Sequence, residues 1–254
     1  MSESIDWMLC DTKSVDAIEE DPTTNSDLMG SHPIVAWVVG SKEPVVPSGW
    51  DATLTLDANS LGEVRRAVAA APADGATAIL YDNEDWSYTP LTEQEMPAAS
   101  IAYAASQAHS AGLQFIAAPA PDLMKIADPL GSGTEFDKYL AMGIPQAVAA
   151  SGANVYVIQA QVLETNPARF AAFVHQCAAA ARDLNPHIEI LAGLSTQPDG
   201  KTVTAAELEQ CISLTPGGRC GLLDVHPVAR AVGAEHDRVP AGDRHAGDRP
   251  LRGL

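Results

Sequence analysis

The run Ala76-Thr77-Ala78-Ile79-Leu80-Tyr81-Asp82-Asn83-Glu84-Asp85-Trp86 decides the fold. Its first six residues carry no charge and read as a short strand buried on both faces, and four polar or acidic residues follow at once. Gly75 stands just before it, where a preceding helix should stop. Downstream, Pro97 to Ala111 is alanine-rich with apolar residues at helical spacing, Gly112 closes it, and Leu113-Gln114-Phe115-Ile116-Ala117-Ala118 begins the next apolar run. A strand-to-strand period of about 35 to 40 residues is that of a βαβ crossover, which forces parallel pairing.

The same grammar extends in both directions. Ile34-Val35-Ala36-Trp37-Val38-Val39, closed by Gly40 and Ser41, is a further strand, as are Thr53 to Leu56, Val155 to Ile158 and Ile188 to Ala192. Leu61 to Ala71, Phe136 to Ser151 and Ala168 to Leu184 read as helices, with Gly152 and Pro186 placed to end two of them. The alternation predicts an α/β fold with helices outside a parallel sheet. A TIM-like (β/α) barrel is preferred to a doubly wound sheet, because no Gly-rich phosphate loop follows the first strand and polar residues gather just past several strand ends.

A chain of 254 residues suits one such domain. We expect residues 1–30 to be an acidic, weakly ordered arm with a loop at Asp21 to Asp27, residues 31–221 to be the barrel, and residues 222–254 to be an atypical Arg/Asp/Gly/Pro-rich tail. Six recognisable strands fall short of eight, so the barrel is expected to be incomplete or altered at its C-terminal end. An out-of-frame reading of a GC-rich gene would account for the tail. With the codons CTT CTG GAT GTC CAT CCC GTC GCC CG for Leu222 to Arg230, a start one base later gives Phe-Trp-Met-Ser-Ile-Pro-Ser-Pro, an apolar strand where one is due.

Composition excludes several classes of partner. A formal charge of −18 argues against nucleic acid, which needs clustered Lys and Arg, and against an anionic membrane surface. Cys10, Cys177, Cys211 and Cys220 form no CxxC pair and have no His at ligand spacing, so no metal or redox centre is expected. Glu3, Asp6 and Asp11 stand where a signal peptide needs a basic start, and no apolar stretch reaches the ~18 residues of a membrane span, so a cytoplasmic protein is expected.

The candidate chemistry sits at strand ends, which a barrel gathers at one mouth. Asp82, Glu84 and Asp85 put three carboxylates within four positions beside Trp86 and Tyr88, so crowding can keep one acid protonated while aromatic faces stack on a sugar ring. The period of two places Gln159 and Gln161 on one face with Val155 and Val157. Glu164, just beyond, is read as a second carboxylate opposite Glu84; the alternative is a charge at the start of the helix near Asn166 and Pro167. Ser195 with Thr196, Asp57 and Asp122 complete the rim. His109 and His175 fall within helices and join no constellation, no Gly-x-Ser-x-Gly occurs, and Gly131-Ser132-Gly133 follows no strand that would make it a phosphate cradle.

This acidic strand end followed by Trp86 resembles glycoside-hydrolase-like (β/α) barrels. With Thr89-Pro90 and Glu93-Gln94 it is similar to a group of uncharacterised bacterial barrel proteins over about residues 33–221. The resemblance implies a cleft lined by these residues and a sugar or other polar small molecule as substrate, without a cofactor. The Asp-x-x-Asp-x-Asp-x-Glu spacing of chitinase-like enzymes is absent. Two other readings stand beside the hydrolase. The acidic cluster could hold Mg²⁺ for a lyase or cyclase acting on a diphosphate, or an incomplete barrel could bind a ligand without turnover. Open strand edges would favour a homodimer.

Overall fold

Every uncharged run becomes a strand of one parallel sheet in the computed structural model, which describes residues 8–9, 12–20, 32–195, 198–215 and 220–224. The chain opens with β1 (Met8–Leu9), α1 (Thr12–Glu19), β2 (Ile34–Val38), β3 (Thr53–Ala58) and α2 (Leu61–Asp74). It continues with β4 (Ala78–Tyr81), α3 (Leu91–Glu95), α4 (Pro97–Ser110) and β5 (Gln114–Ala117). A 3₁₀ turn at Pro121–Leu123 leads into α5 (Met124–Ala127), α6 (Glu135–Ala141), α7 (Ile144–Ala150) and β6 (Val155–Ile158). After a second turn, Gln161–Leu163, come α8 (Pro167–Arg182), β7 (Glu189–Ser195), α9 (Ala205–Leu214) and β8 (Cys220–Asp224).

Strand order in space follows chain order from β1 to β8, and every neighbouring pair is parallel. β8 runs beside β1, although no hydrogen-bonded register joins the two among the described residues. No helix stands between β2 and β3 among the described residues. The architecture is therefore a TIM-like (β/α) barrel, incomplete in its closing ladder and in its helical layer.

The pleat sorts side chains into two cores. Met8, Ile34, Leu80, Ile116, Val157 and Leu191 belong to a cluster drawn from strands alone, which fills the barrel interior. Their neighbours Leu56, Ile79, Tyr81, Phe115, Tyr156 and Ile190 face outward into a larger cluster shared with Val64, Ile101, Val148 and Phe170 of the helices. Burying both faces is what requires strand interiors without charge.

The structure departs from the sequence reading in several places. Among the described residues the sheet has eight strands, the additional ones being β1 and β8. β1 has only two residues and gains its place by pairing with Ile34 and Val35, which periodicity cannot reveal. The N-terminal arm also contributes α1, whose Val15 and Ile18 pack on Val35 and Trp50. Leu222 and Asp224, assigned to the tail, lie in β8 in register with Leu194 and Ser195. The single helix read over Phe136 to Ser151 is two, since Gly143 takes a left-handed conformation at φ 69° and Pro145 follows at the start of α7. The readings made on Asp21 to Asp27, Thr196 and residues 225–254, the shifted frame included, fall largely or wholly outside the described residues.

Candidate functional site at the barrel mouth

Lumen-facing positions turn polar at the C-terminal ends of the strands. Two residues beyond Leu80 comes Asp82, two beyond Val157 comes Gln159, and Asp57 follows Thr55 on β3. Asp82 continues the ladder, its N–H donating to the Ala58 carbonyl at 3.0 Å. Gln159 Nε2 donates to Asp82 Oδ1 and to the Ala118 carbonyl, each at 2.7 Å, and so ties β6 to β4 and β5 across the mouth.

Above this layer lies a cavity of about 390 Å³, lined by Glu84, Asp122, Lys125, Glu135, Gln159, Gln161 and Ser195, with Ala120, Pro121, Phe136, Val162 and Pro198 as its apolar wall. Parallel packing thus brings the segments that follow β4, β5, β6 and β7 to one place. Glu84, Gln159, Gln161, Ser195 and Asp122, read from the sequence as rim residues, meet here. Asp85 adjoins the rim, its N–H donating to Asp122 Oδ1 at 3.1 Å and its carboxylate lying 3.7 Å from Lys125 Nζ.

The loop that carries Glu84 is held from behind. Thr89 Oγ1 accepts the Glu84 N–H at 3.3 Å and the Trp86 indole N–H at 2.9 Å, and donates to the Asn59 carbonyl at 2.8 Å. Gln94 Nε2 donates to the carbonyls of Trp86 (2.9 Å) and Thr89 (2.7 Å). Buried Glu93 accepts from the Leu61 N–H at 2.8 Å and the Tyr81 hydroxyl at 2.9 Å, joining α2, α3 and β4. The motif-like residues Thr89, Glu93 and Gln94 are therefore scaffold for the Glu84 loop.

Two aromatic assignments change. Trp86 and Tyr88 do not line the cavity. Trp86 directs its N–H to Thr89, and Tyr88 packs on it edge-on at 5.4 Å while remaining 66% exposed. Glu164 is fully buried and also absent from the cavity wall. Its Oε1 accepts the Ser195 N–H at 2.7 Å, and its Oε2 has no hydrogen-bond partner among the described residues. That placement turns Glu164 from a partner facing Glu84 into a group that fixes the end of β7.

Electrostatics single out the acids beneath and beside the cavity. Burial pushes Asp57 up to about 7, against the Ala58 N–H, with Glu63 and Glu84 adding repulsion. Asp82 is raised well above the usual range by burial and then by Glu84 and Asp57, with the Gln159 amide opposing. Burial raises Glu84 to about 6, the Gln159 amide pulls it down, and Asp122 repels it. Asp122 is raised by burial but held back by the Asp85 N–H and by Lys125. Crowded, buried like charges cannot all ionise at neutral pH, so the group shares protons.

Lys125 and Glu135 escaped the sequence reading. Lys125 follows Asp122 by three positions, one helical turn, with its Nζ 3.9 Å from both Asp122 and Glu135. The turn Pro121–Leu123 running into α5 is what aligns them, and Pro119-Ala120-Pro121-Asp122 was the signal available. No three His, Cys, Asp or Glu side chains among the described residues are grouped as metal ligands would be. No described helix is long and apolar enough to cross a membrane.

No family model and no curated protein matches the chain. Among solved structures it is similar to the carboxyl transferase domain of Rhizobium etli pyruvate carboxylase, at TM-score 0.52 and 11% identity, over 87% of this chain and 40% of that one. A class V chitinase from Pseudomonas fluorescens Pf-5 is similar at TM-score 0.45 and 13% identity, over 82% of this chain and 75% of that one. The chain spans less than half the length of the first of these, and at 11% identity that likeness is one of fold alone.

Proposed function

We propose that the chain is a glycoside-hydrolase-like barrel enzyme acting on a sugar or other polar small molecule, with Glu84 as general acid and Asp122 as its ionised partner. The observation that carries this reading is the shared cavity: Glu84 and Asp122 line it together, and the charge of Asp122 makes Glu84 harder to ionise. The sequence pairing of Glu84 with Asp82 or Glu164 gives way because neither of those lines the cavity.

The roles follow from environment. Glu84, raised to about 6, holds a proton it can deliver to a leaving glycosidic oxygen. Asp122, facing Lys125 and the Asp85 N–H, keeps its charge more readily and can stabilise positive charge on the sugar ring or activate water. Asp82 acts as a positioning group by accepting from Gln159 Nε2, and burial holds both Asp82 and Asp57 toward their protonated forms beneath Glu84. Gln159, Gln161 and Ser195 offer the neutral hydrogen-bonding groups that a polar substrate requires.

The test is turnover of a panel of aryl glycosides by wild type, Glu84→Gln and Asp122→Asn, with circular dichroism to confirm folding. Loss of a general acid lowers turnover by about 10²- to 10⁴-fold. Undiminished turnover in Glu84→Gln would reject the assignment.

A further inference from the structure

A second concavity of about 450 Å³ adjoins the mouth and is lined by Lys125, Lys138, Arg169, Thr134, Glu135 and Leu163, among others. Lys125, Glu135, Phe136 and Val162 border both spaces, so the groove and the acid-lined cavity are contiguous. The chain has 33 acidic and 15 basic residues, yet three of its described cations converge here from α5, α6 and α8.

The three differ in how far they are already satisfied. Lys125 is surrounded by Asp85, Asp122 and Glu135 at 3.7 to 3.9 Å. Lys138 donates to the Asp128 carbonyl at 2.8 Å, which leaves donors on its ammonium, and neither it nor Arg169 has a carboxylate within ion-pair distance among the described residues. Arg169 is exposed, and its charge acts on Asp137. The Thr134 N–H and hydroxyl are both taken by Asp137 at 2.8 Å, so the start of α6 caps itself and the side chains are what face the groove.

We propose that this groove binds an anionic substituent, a carboxylate or a phosphate, on the same sugar whose reacting bond occupies the adjoining cavity, with Lys138 and Arg169 as its cationic contacts. The inference rests on reading the mouth as a sugar site and extends it to acidic sugars. In a protein this acidic, an anionic ligand is repelled at long range, but salt screens that repulsion beyond a Debye length while leaving the contacts in the groove. Arg169 supplies a planar fork suited to two oxygens and Lys138 a compact charge. The groove is placed to select charge, and the cavity to perform the chemistry.

The experiment is calorimetric titration of the full chain with methyl glucoside, methyl glucuronide and glucose 6-phosphate, for wild type, Glu84→Gln and the double variant Lys138→Met with Arg169→Met. Methionine keeps the apolar stems of these side chains, and thermal melts check that the fold is retained. One or both charged probes should bind wild type about 10- to 100-fold more tightly than the neutral one, as expected for hydrogen bonds to charged groups. The gap should persist in Glu84→Gln, close in the double variant and narrow as NaCl rises to about 0.5 M. A gap for the glucuronide alone assigns a carboxylate, and for the phosphate alone a phosphate. Equal affinity for charged and neutral probes, no binding of any probe, or a gap that survives in the double variant overturns the proposal. Charge preference without turnover of any glycoside would fail the catalytic reading alone, whereas turnover of neutral glycosides without charge preference would fail this inference alone.

Discussion

Ionising a carboxyl inside this barrel separates charge from water, and the structure shows two ways of living with that cost. At the mouth, Glu84 lies near Asp122 with only the Gln159 amide in opposition, so its proton leaves near pH 6. Catalysis by a protonated Glu84 and an ionised Asp122 predicts a bell-shaped pH profile for kcat/KM, with the alkaline limb falling through about 6 as Glu84 ionises. Measuring the profile checks this, and a plateau from about pH 5 to about pH 9 would count against the assignment. Behind β7, Glu164 is raised by burial from 4.5 to about 8, with only the Ser195 N–H opposing. The folded form therefore binds a proton that the unfolded chain releases, so this contribution is full below about pH 4.5 and falls as pH rises to about 8. The slope is about 1.4 kcal/mol per pH unit. Glu164→Gln keeps an acceptor for Ser195 and removes the titration, so in urea melts its stability relative to wild type should improve between about pH 5 and about pH 8. A difference that does not change with pH would contradict the burial of this carboxyl.

The elements that position the site were legible to different degrees. Strands β2 to β7 could be read because each is a short, mainly apolar run, charged at most near one end as at Asp57 and Glu189, and helices α2, α4 and α8 because each ends at a glycine or begins beside a capping residue. β1 was hidden because two residues carry no period, and β8 because Gly221 interrupts its apolar pattern. Rim membership of Glu84, Gln159, Gln161, Asp122 and Ser195 followed from placement after strands alone. Lys125 and Glu135 did not, since they reach the mouth on α5 and α6, elements of the long β5–β6 connection whose path no local pattern dictates. The break in that connection is testable. Gly143 sits at φ 69°, and a methyl group added there would meet only the Gln146 side chain, at 3.5 Å, so Gly143→Ala carries a conformational cost without a clash. A loss of about 1 to 2 kcal/mol in chemical denaturation is expected for the left-handed conformation. No loss would mean that α6 and α7 can join as the single helix that the periodicity suggested.

At the scale of the whole molecule, the barrel separates stability from chemistry. Its lumen is apolar at mid-height, where Leu80, Ile116 and Val157 meet fully or almost fully buried, and several acids gather at the C-terminal end. Leu80→Ala should cost about 2 to 5 kcal/mol in denaturant melts by leaving a cavity, whereas Glu84→Gln should leave the melt close to wild type. The overall charge of −18 keeps the mouth negative and makes the cationic groove beside it distinctive. All of this depends on four strand ends converging, so that acids distant in sequence share one buried field. The most direct test is a carboxyl-carbon NMR titration of wild type beside Asp57→Asn and Asp122→Asn. Convergence predicts that Glu84 titrates near 6 and Asp57 near 7 in wild type, and that Asp122→Asn lowers the Glu84 midpoint. Ordinary midpoints near about 4 for both, unmoved by either substitution, would contradict it.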